Sequence, residues 1–389
     1  MSFSQRLKPE FFAQLQKEMR ERLGASGLEL LIVDHYQDVS YATGFSHYPN
    51  ERPVAFAITQ KGAYLLVPEL EREYAGKQKA AAEIVTYFEF PGLDKPFDVL
   101  SRAIGSIRGR AGYSGAMEIH RLRQLQKAFP DCVWEESDII DRMRLLKKPE
   151  EIVLHQEASR ISDDMVRAGA EFVAERFRAG DLPSEAELAG YVVRHGMRVI
   201  HEEHDDLFLT PKMAGGLVYS GANSAFPHGM PSSDRLKPGD CFMLSLGCAV
   251  GGRFAESERT FFLGEPTQEQ RRFYEVVREA QHEGVEAMIA GKPCAAPNEV
   301  ALGIIRGAGF GDYIRHRLGH GIGLGNHEPP WIEAGDSSPM EPGMILSSEP
   351  AVYVPGLGGF RISDTVLVID KAPLRMTKYP RALDDVVIA

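Results

Sequence analysis

Three glutamates and three histidines stand inside apolar or glycine-rich runs in the second half of the chain, where such side chains are costly unless they meet a partner. Glu256 and Glu258 lie in GDCFMLSLGCAVGGRFAESERTFFLG, residues 239–264. Two β-rich runs there flank Gly251-Gly252, a hairpin signal. A turn centred on these glycines sets Ser245 opposite Glu258, with Glu256 its diagonal neighbour, and the two glutamates then share one strand face. Such a face is solvated, or is neutralised by Arg253 and Arg259, or meets something positive or protonated. His320 and His327 are seven residues apart in LGHGIGLGNHEPP, which aims polar side chains at a cavity; taken alone, His320 reads as a structural histidine. Glu349 interrupts an apolar strand in EPGMILSSEPAVY, and Arg361, Ser363 and Asp364 open another in GGFRISDTVLVI. His228 sits in FPHGMP, a loop. Acids and histidines gathered this way suit proton transfer or metal ligation.

The elements that must position these groups fall into two sets. An amphipathic helix is expected from Lys8 to about Leu23 (Phe11, Phe12, Leu15, Met19, Leu23). Strands are expected at Leu28–Val33, Val54–Ile58, Gly62–Val67 and Ile84–Tyr87, and a helix at about Phe97–Ser106. Strands mixed with helices over this stretch predict a small three-layer α/β domain. The charged, proline-bearing run MRLLKKPEE (Met143–Glu151) marks a boundary, giving domains 1–145 and 146–389. Beyond it, helices are expected at Pro149–Ala179, Ser184–Arg198, Thr267–Ala290 and Asn298–Arg306. Ser184 with Glu187, and Thr267 with Gln270, have capping-box spacing. With the intervening strands this predicts an α+β domain whose sheet is mostly antiparallel.

A length of 389 residues favours two cores over one. The formal charge, 44 basic against 55 acidic residues for a net of −11, argues against an extended nucleic-acid surface and against anionic membranes. Four widely spaced cysteines predict buried reduced thiols, not a disulfide framework. The N-terminus lacks the apolar core of a signal peptide, and no apolar run reaches the ~18 residues of a membrane span. A cytoplasmic protein is the expectation. His201-Glu202-Glu203-His204 has the wrong spacing for a metalloprotease helix and reads as a polar helix end. The glycine-rich Gly321–Gly325 lacks the lysine of a phosphate loop.

The four blocks, in this order and spacing, resemble the catalytic domain shared by methionine aminopeptidases, Xaa-Pro aminopeptidases, prolidases and creatinase. There they read D-x-G…D-x-T-R-T, G-H-G-I-G-x-x-x-H-E-x-P, G-M-x-x-x-x-E-P and R-x-E-D-T. The resemblance covers about Met143 to the C-terminus and implies the pita-bread fold. The N-terminal part is similar, more weakly, to the creatinase/prolidase N-domain. In metal-dependent relatives five side chains bridge two divalent ions, and the resemblance places them at Ser245, Glu256, His320, Glu349 and Ser363. Two carboxylates are thus lost. A bridged pair is then not expected, and Glu256, His320 and Glu349 are left to hold at most one ion (Mn, Zn or Co), or none.

Creatinase, which lacks that metal centre, is similar in carrying a glutamate at the place of Glu258. By that resemblance His228 is a proton shuttle, Glu258 and Glu349 orient the substrate, and His327 completes the catalytic set. Substrate-binding roles are expected for Arg52, Arg361 and Trp331, the first reaching a partner's site in a homodimer. Trp331 with Phe45, Tyr48 and Phe226 is a candidate pocket lining. A second carboxylate-binding arginine of creatinase has no counterpart, since Glu328 follows His327. The expected function is hydrolysis of a C–N bond in a small amide, amidino or peptide-like compound, with no nucleic acid and no membrane among its partners. The alternatives are a one-ion Xaa-Pro aminopeptidase or dipeptidase, and a catalytically inactive binding homologue.

Overall fold

The computed structural model describes residues 3–389, which divide into two compact units. The smaller takes in Ser4–Arg144 and Asp206–Pro211, the larger Leu145–Asp205 and Lys212–Ala389.

In the smaller unit α1 (Pro9–Ser26) buries Phe11, Phe12, Leu15, Met19 and Leu23, the stripe its spacing predicts, and stops at Gly27 in the left-handed conformation. The sheet joins β1 (Leu30–Val33), β2 (Ala55–Thr59), β3 (Ala63–Pro68), β4 (Glu83–Tyr87), β5 (Gly109–Tyr113) and β6 (Cys132–Glu136) in the order β4-β3-β2-β1-β5-β6. Helices α2 (Tyr36–Thr43), α3 (Pro96–Ile104) and α4 (Ile119–Ala128) cover it together with α1. Leu30, Ile32, Ala55 and Ala57 pack against Phe97, Leu100 and Leu125 on one side of the sheet. The fully buried β1 and β2 read as continuous apolar runs for that reason. Strands β5 and β6, GRAGY and CVWEE, lack this signature and were not expected.

In the larger unit α5 (Pro149–Arg178) and α6 (Glu185–Glu203) lie against a nine-stranded sheet. Its main path runs β11-β10-β12-β15-β9-β8-β7, where β7 is Ala214–Ser220, β8 Cys241–Val250, β9 Arg253–Leu263, β10 Gly319–Gly321, β11 Glu328–Ile332, β12 Ile345–Ser348 and β15 Ser363–Leu367. Every pairing along that path is antiparallel. A separate ribbon joins β13 (Ala351–Val354) to β14 (Gly358–Arg361), and α7 (Gln268–Glu286) and α8 (Ala295–Gly307) complete the unit. Gly251 and Gly252 both have positive φ, +57° and +79°, as a two-residue turn matched to the sheet twist requires. Helix α5 approaches β8 so closely at Gly169 that a Cβ there would stand 2.8 Å from Leu244 and from Val192.

Ser184 caps α6 as its spacing with Glu187 predicts: Ser184 Oγ accepts from the Glu187 amide at 3.2 Å and the Glu187 carboxylate accepts from the Ser184 amide at 2.7 Å. Ser184→Ala is expected to lower stability by about 1 kcal/mol, read as a shift of the urea midpoint at constant m-value. Among the described residues no helix is long and apolar enough to cross a membrane.

Candidate active site

Strands β8 and β9 pair with Ser245 opposite Glu258 and Gly247 opposite Glu256. The two-residue period turns both glutamates to one face, over a cavity of about 820 Å³. The cavity is lined by the expected Ser245, Glu256, Glu258, His228, His320, His327, Glu349 and Arg361. Ser363 is fully buried behind it, where its hydroxyl donates to Glu256 Oε1 at 3.0 Å. Trp331 and Phe226 are not among the lining residues; Trp331 carries the Arg317 guanidinium 4.2 Å over its ring, and Phe226 points to solvent. Phe45 is a core residue of the smaller unit, where Tyr48 is exposed. Arg52 also belongs to that unit and is ion-paired there with Glu51 and Glu89.

The acids on the cavity floor meet bases and hydroxyls. Arg361 Nε lies 2.6 Å from Glu258 Oε2, and Nη2 donates to Glu258 Oε1 at 3.2 Å. Ser245 Oγ donates to the same carboxylate. Arg361 Nη1 donates to the Tyr353 hydroxyl at 3.1 Å, and Tyr353 stands 2.9 Å from His316 Nε2. His316 and Tyr353 were not singled out in the sequence, although Tyr353 closes the EPAVY block. Glu349 faces His320, with 3.3 Å between Oε1 and Nε2. His320 Nδ1 donates to the Gly321 carbonyl at 3.0 Å, which turns Nε2 toward the cavity. The His327 ring stacks on that of His320 at 3.7 Å.

Arg253 and Arg259 do not neutralise the glutamates. Their odd positions put them on the opposite sheet face, where Arg253 meets Glu151 at 2.8 Å and Arg259 meets Asp364 at 2.8 Å.

The electrostatics follow from burial and from these pairs. Burial raises Glu256 to about 8, with His320 opposing and the neighbouring glutamates adding to the rise. Burial also raises Glu258, against the pull of Arg361. At Glu349 burial is overcome by His320 and His316, which hold it at about 2. His320 is raised to about 9: burial acts against the charged ring, but Glu349 and Glu256 prevail. His327 is lowered to about 4, by burial and by the cationic His320 beside it. The floor thus holds two charge pairs, Glu258 with Arg361 and Glu349 with His320, and one carboxyl, Glu256, that burial keeps protonated.

His228 reaches the cavity from an exposed loop that is fastened at both ends. Tyr219 donates its hydroxyl to the Pro227 carbonyl at 3.0 Å. The buried Glu185 carboxylate accepts from the Ser220 amide, Asn223 Nδ2 and the Ser232 amide at 2.6, 2.8 and 2.8 Å. The sequence pointed to none of these anchors.

His201–Glu203 close α6, the polar helix end expected, and His204 follows as its C-cap in extended conformation. His201 and His204 each place Nδ1 against the carbonyl four residues back, at 2.8 and 3.1 Å.

Residues 153–370 match the model of metallopeptidase family M24, and residues 15–146 match the creatinase/prolidase N-terminal domain. The chain belongs to metallopeptidase family M24. It is 34% identical over 323 residues to the Xaa-Pro dipeptidase of Pyrococcus furiosus, covering 82% of this chain and 86% of that one. Among solved structures it is similar to the prolidase of Pyrococcus horikoshii, with a TM-score of 0.81 and 28% identity over 95% of this chain and 99% of that one. It is likewise similar to an Xaa-Pro dipeptidase of Bacillus anthracis, with a TM-score of 0.82 and 25% identity over 97% and 99%. The fold is the family's pita-bread domain behind a creatinase-type N-domain, and the chain is an enzyme of the hydrolase class. M24 is a metallopeptidase family. Among the described residues, the acid and imidazole groups whose ligand atoms gather, all within 4.8 Å of one another, are Glu256, His320 and His327.

Proposed function

We propose that this M24 chain hydrolyses a C–N bond in a small amide, amidino or short-peptide substrate without a bridged pair of ions. The supporting observation is where its carboxylates have gone. Positions 245 and 363 carry hydroxyls that already donate to Glu258 and Glu256, and Glu258 is bound by Arg361. Two hard cations need the bridging carboxylates these positions no longer supply. The remaining donors, Glu256 and His320 with His327 or Glu349, fit one ion, which when bound would supply a Lewis acid beside the floor.

The chain's own residues carry the rest. Glu258, fixed by Arg361 and Ser245, and Glu349, fixed by His320, accept hydrogen bonds from the N–H groups of the substrate and orient it. His228 takes a proton from water as the water oxygen bonds to the substrate carbon. It returns that proton to the nitrogen as the C–N bond breaks. A homodimer in which the N-domain of one chain supplies Arg52 to the other's site belongs to the same proposal. Uncovered apolar side chains support it: Phe226 and Met230 beside His228, and Tyr48, Phe88, Phe90 and Leu93 in the smaller unit.

The similarity to Xaa-Pro dipeptidases and the H-E-P-P sequence favour a second reading, a peptidase acting on Xaa-Pro peptides with one ion. A panel of Ala-Pro, small amides and amidino compounds, assayed after chelation and on stepwise return of metal, tests both. Turnover that saturates at one equivalent of ion or below is expected. A strict need for two equivalents overturns the proposal.

A further inference from the structure

In the metal-dependent enzymes that the chain resembles, the two blocks read D-x-G and D-x-T, which in the register of this hairpin sets an acid opposite a hydroxyl. This chain reads Ser245-Leu246-Gly247 against Glu256-Ser257-Glu258, so the hydroxyl and the acid have changed strands. The carboxylate has not left the site. Glu258, 5% exposed, reaches back across the ladder to the Ser245 hydroxyl and locks onto the equally buried Arg361. A guanidinium in that ion pair carries the positive charge for this part of the floor, so no ion is needed to neutralise Glu258 and none can draw on both its oxygens.

The opposite part of the floor differs. His320 is 1% exposed, its Nδ1 is committed to a backbone carbonyl, and its Nε2 faces Glu349 Oε1 at 3.3 Å. That nitrogen points among Glu256, Glu349 and the stacked His327 ring, and His327 itself opens to solvent. Two imidazoles and a carboxylate with one open side are a common donor set for a single divalent ion of the zinc, cobalt or manganese kind.

We infer that residues 245 and 258 are an exchanged acid–hydroxyl pair, that the Glu258–Arg361 pair takes the room of one ion, and that the centre binds one divalent ion, on Glu256, His320 and His327. The inference rests on the one-ion form of the proposed function but names His327 as a ligand and Glu258 as what excludes the second ion.

The experiment counts metal without any substrate. Full-length protein is dialysed to equilibrium against Zn²⁺, Co²⁺ or Mn²⁺ in turn, and bound metal is measured by mass spectrometry alongside protein concentration. One ion per chain is expected for at least one metal. His327→Ala lies at the exposed end of the cluster, so it should melt as wild type does while affinity falls about tenfold or more, since even outer-shell partners cost 10–100-fold. Ser245→Asp with Glu258→Thr and Ser363→Glu, which returns the acid to β8 and restores the other lost carboxylate, should raise the count to two. Two ions or none in the wild type overturns the inference, and so does His327→Ala binding as tightly as wild type. If the exchanged variant melts cooperatively and still holds one ion, the account of positions 245 and 258 is wrong; if it fails to fold, the wild-type count and the His327→Ala affinity still decide. A failed substrate panel would sink the proposed function and leave this count untouched.

Discussion

Replacing Glu258 by alanine is expected to cost about 3–5 kcal/mol of folding stability, a large part of what a domain of this kind has. The reason is the partner left behind. Arg361 is 5% exposed, and its other hydrogen bond from the guanidinium goes to a neutral hydroxyl, Tyr353. Without Glu258 the guanidinium stays buried with a hydroxyl as its hydrogen-bond partner, and Glu349 is the negative charge left acting on it. Arginine does not escape by losing its proton, and the field of Glu258 and its neighbours raises this one further. Denaturant unfolding of the single variant, of Arg361→Met and of the double variant measures the coupling. The double variant should lose clearly less than the two singles combined, because removing both charges leaves no unpaired ion. A loss near 1 kcal/mol for Glu258→Ala would mean that water solvates the pair, and the floor would then not be the dry, fixed surface that the proposed chemistry needs.

The second large effect concerns rate and not stability. His228→Ala is expected to lower kcat on the best substrate of the panel by about 10²–10⁴, the range for loss of a positioned general acid–base. The melting temperature should stay where it is, since the imidazole is exposed and makes no packing contribution to lose. The loop stays in place through Tyr219 and Glu185. A variant that kept most of its kcat would remove His228 from the chemistry and move proton transfer to the floor, where Glu256 and His320 are the remaining candidates.

Much of the site was readable because local rules fixed it. A glycine pair with alternating strands on either side sets a two-residue turn, and the turn sets the register, so Ser245 opposite Glu258 followed from counting. The same counting could have excluded Arg253 and Arg259 as partners for the glutamates, since odd positions face the other way. Their charge alone makes them candidates, and the structure gives them Glu151 and Asp364 instead. Aromatic type alone makes Trp331 a candidate pocket residue, whereas in the structure Arg317 lies over its ring and it does not line the cavity. In the smaller unit β1 and β2 announced themselves as buried apolar runs, whereas β5 and β6, polar or glycine-rich, gave no period to read.

By itself, then, the sequence determined the two-unit family fold, the hairpin, and which acids and histidines share its neighbourhood. These depend on turn chemistry, strand period and block order, all short-range. It also showed hydroxyls at positions 245 and 363, two of the five places where the family resemblance implies metal ligands. Tertiary structure decided what those hydroxyls do. Arg361 lies 103 residues from Glu258 along the chain, and Glu349 lies 29 from His320. Pairs so distant are set by how β15 joins β9 and how β12 joins β10, a choice among many sterically allowed partners that no local pattern encodes. Only once those strands meet is Glu258 tied to Arg361 and His320 to Glu349, with Glu256 left to burial.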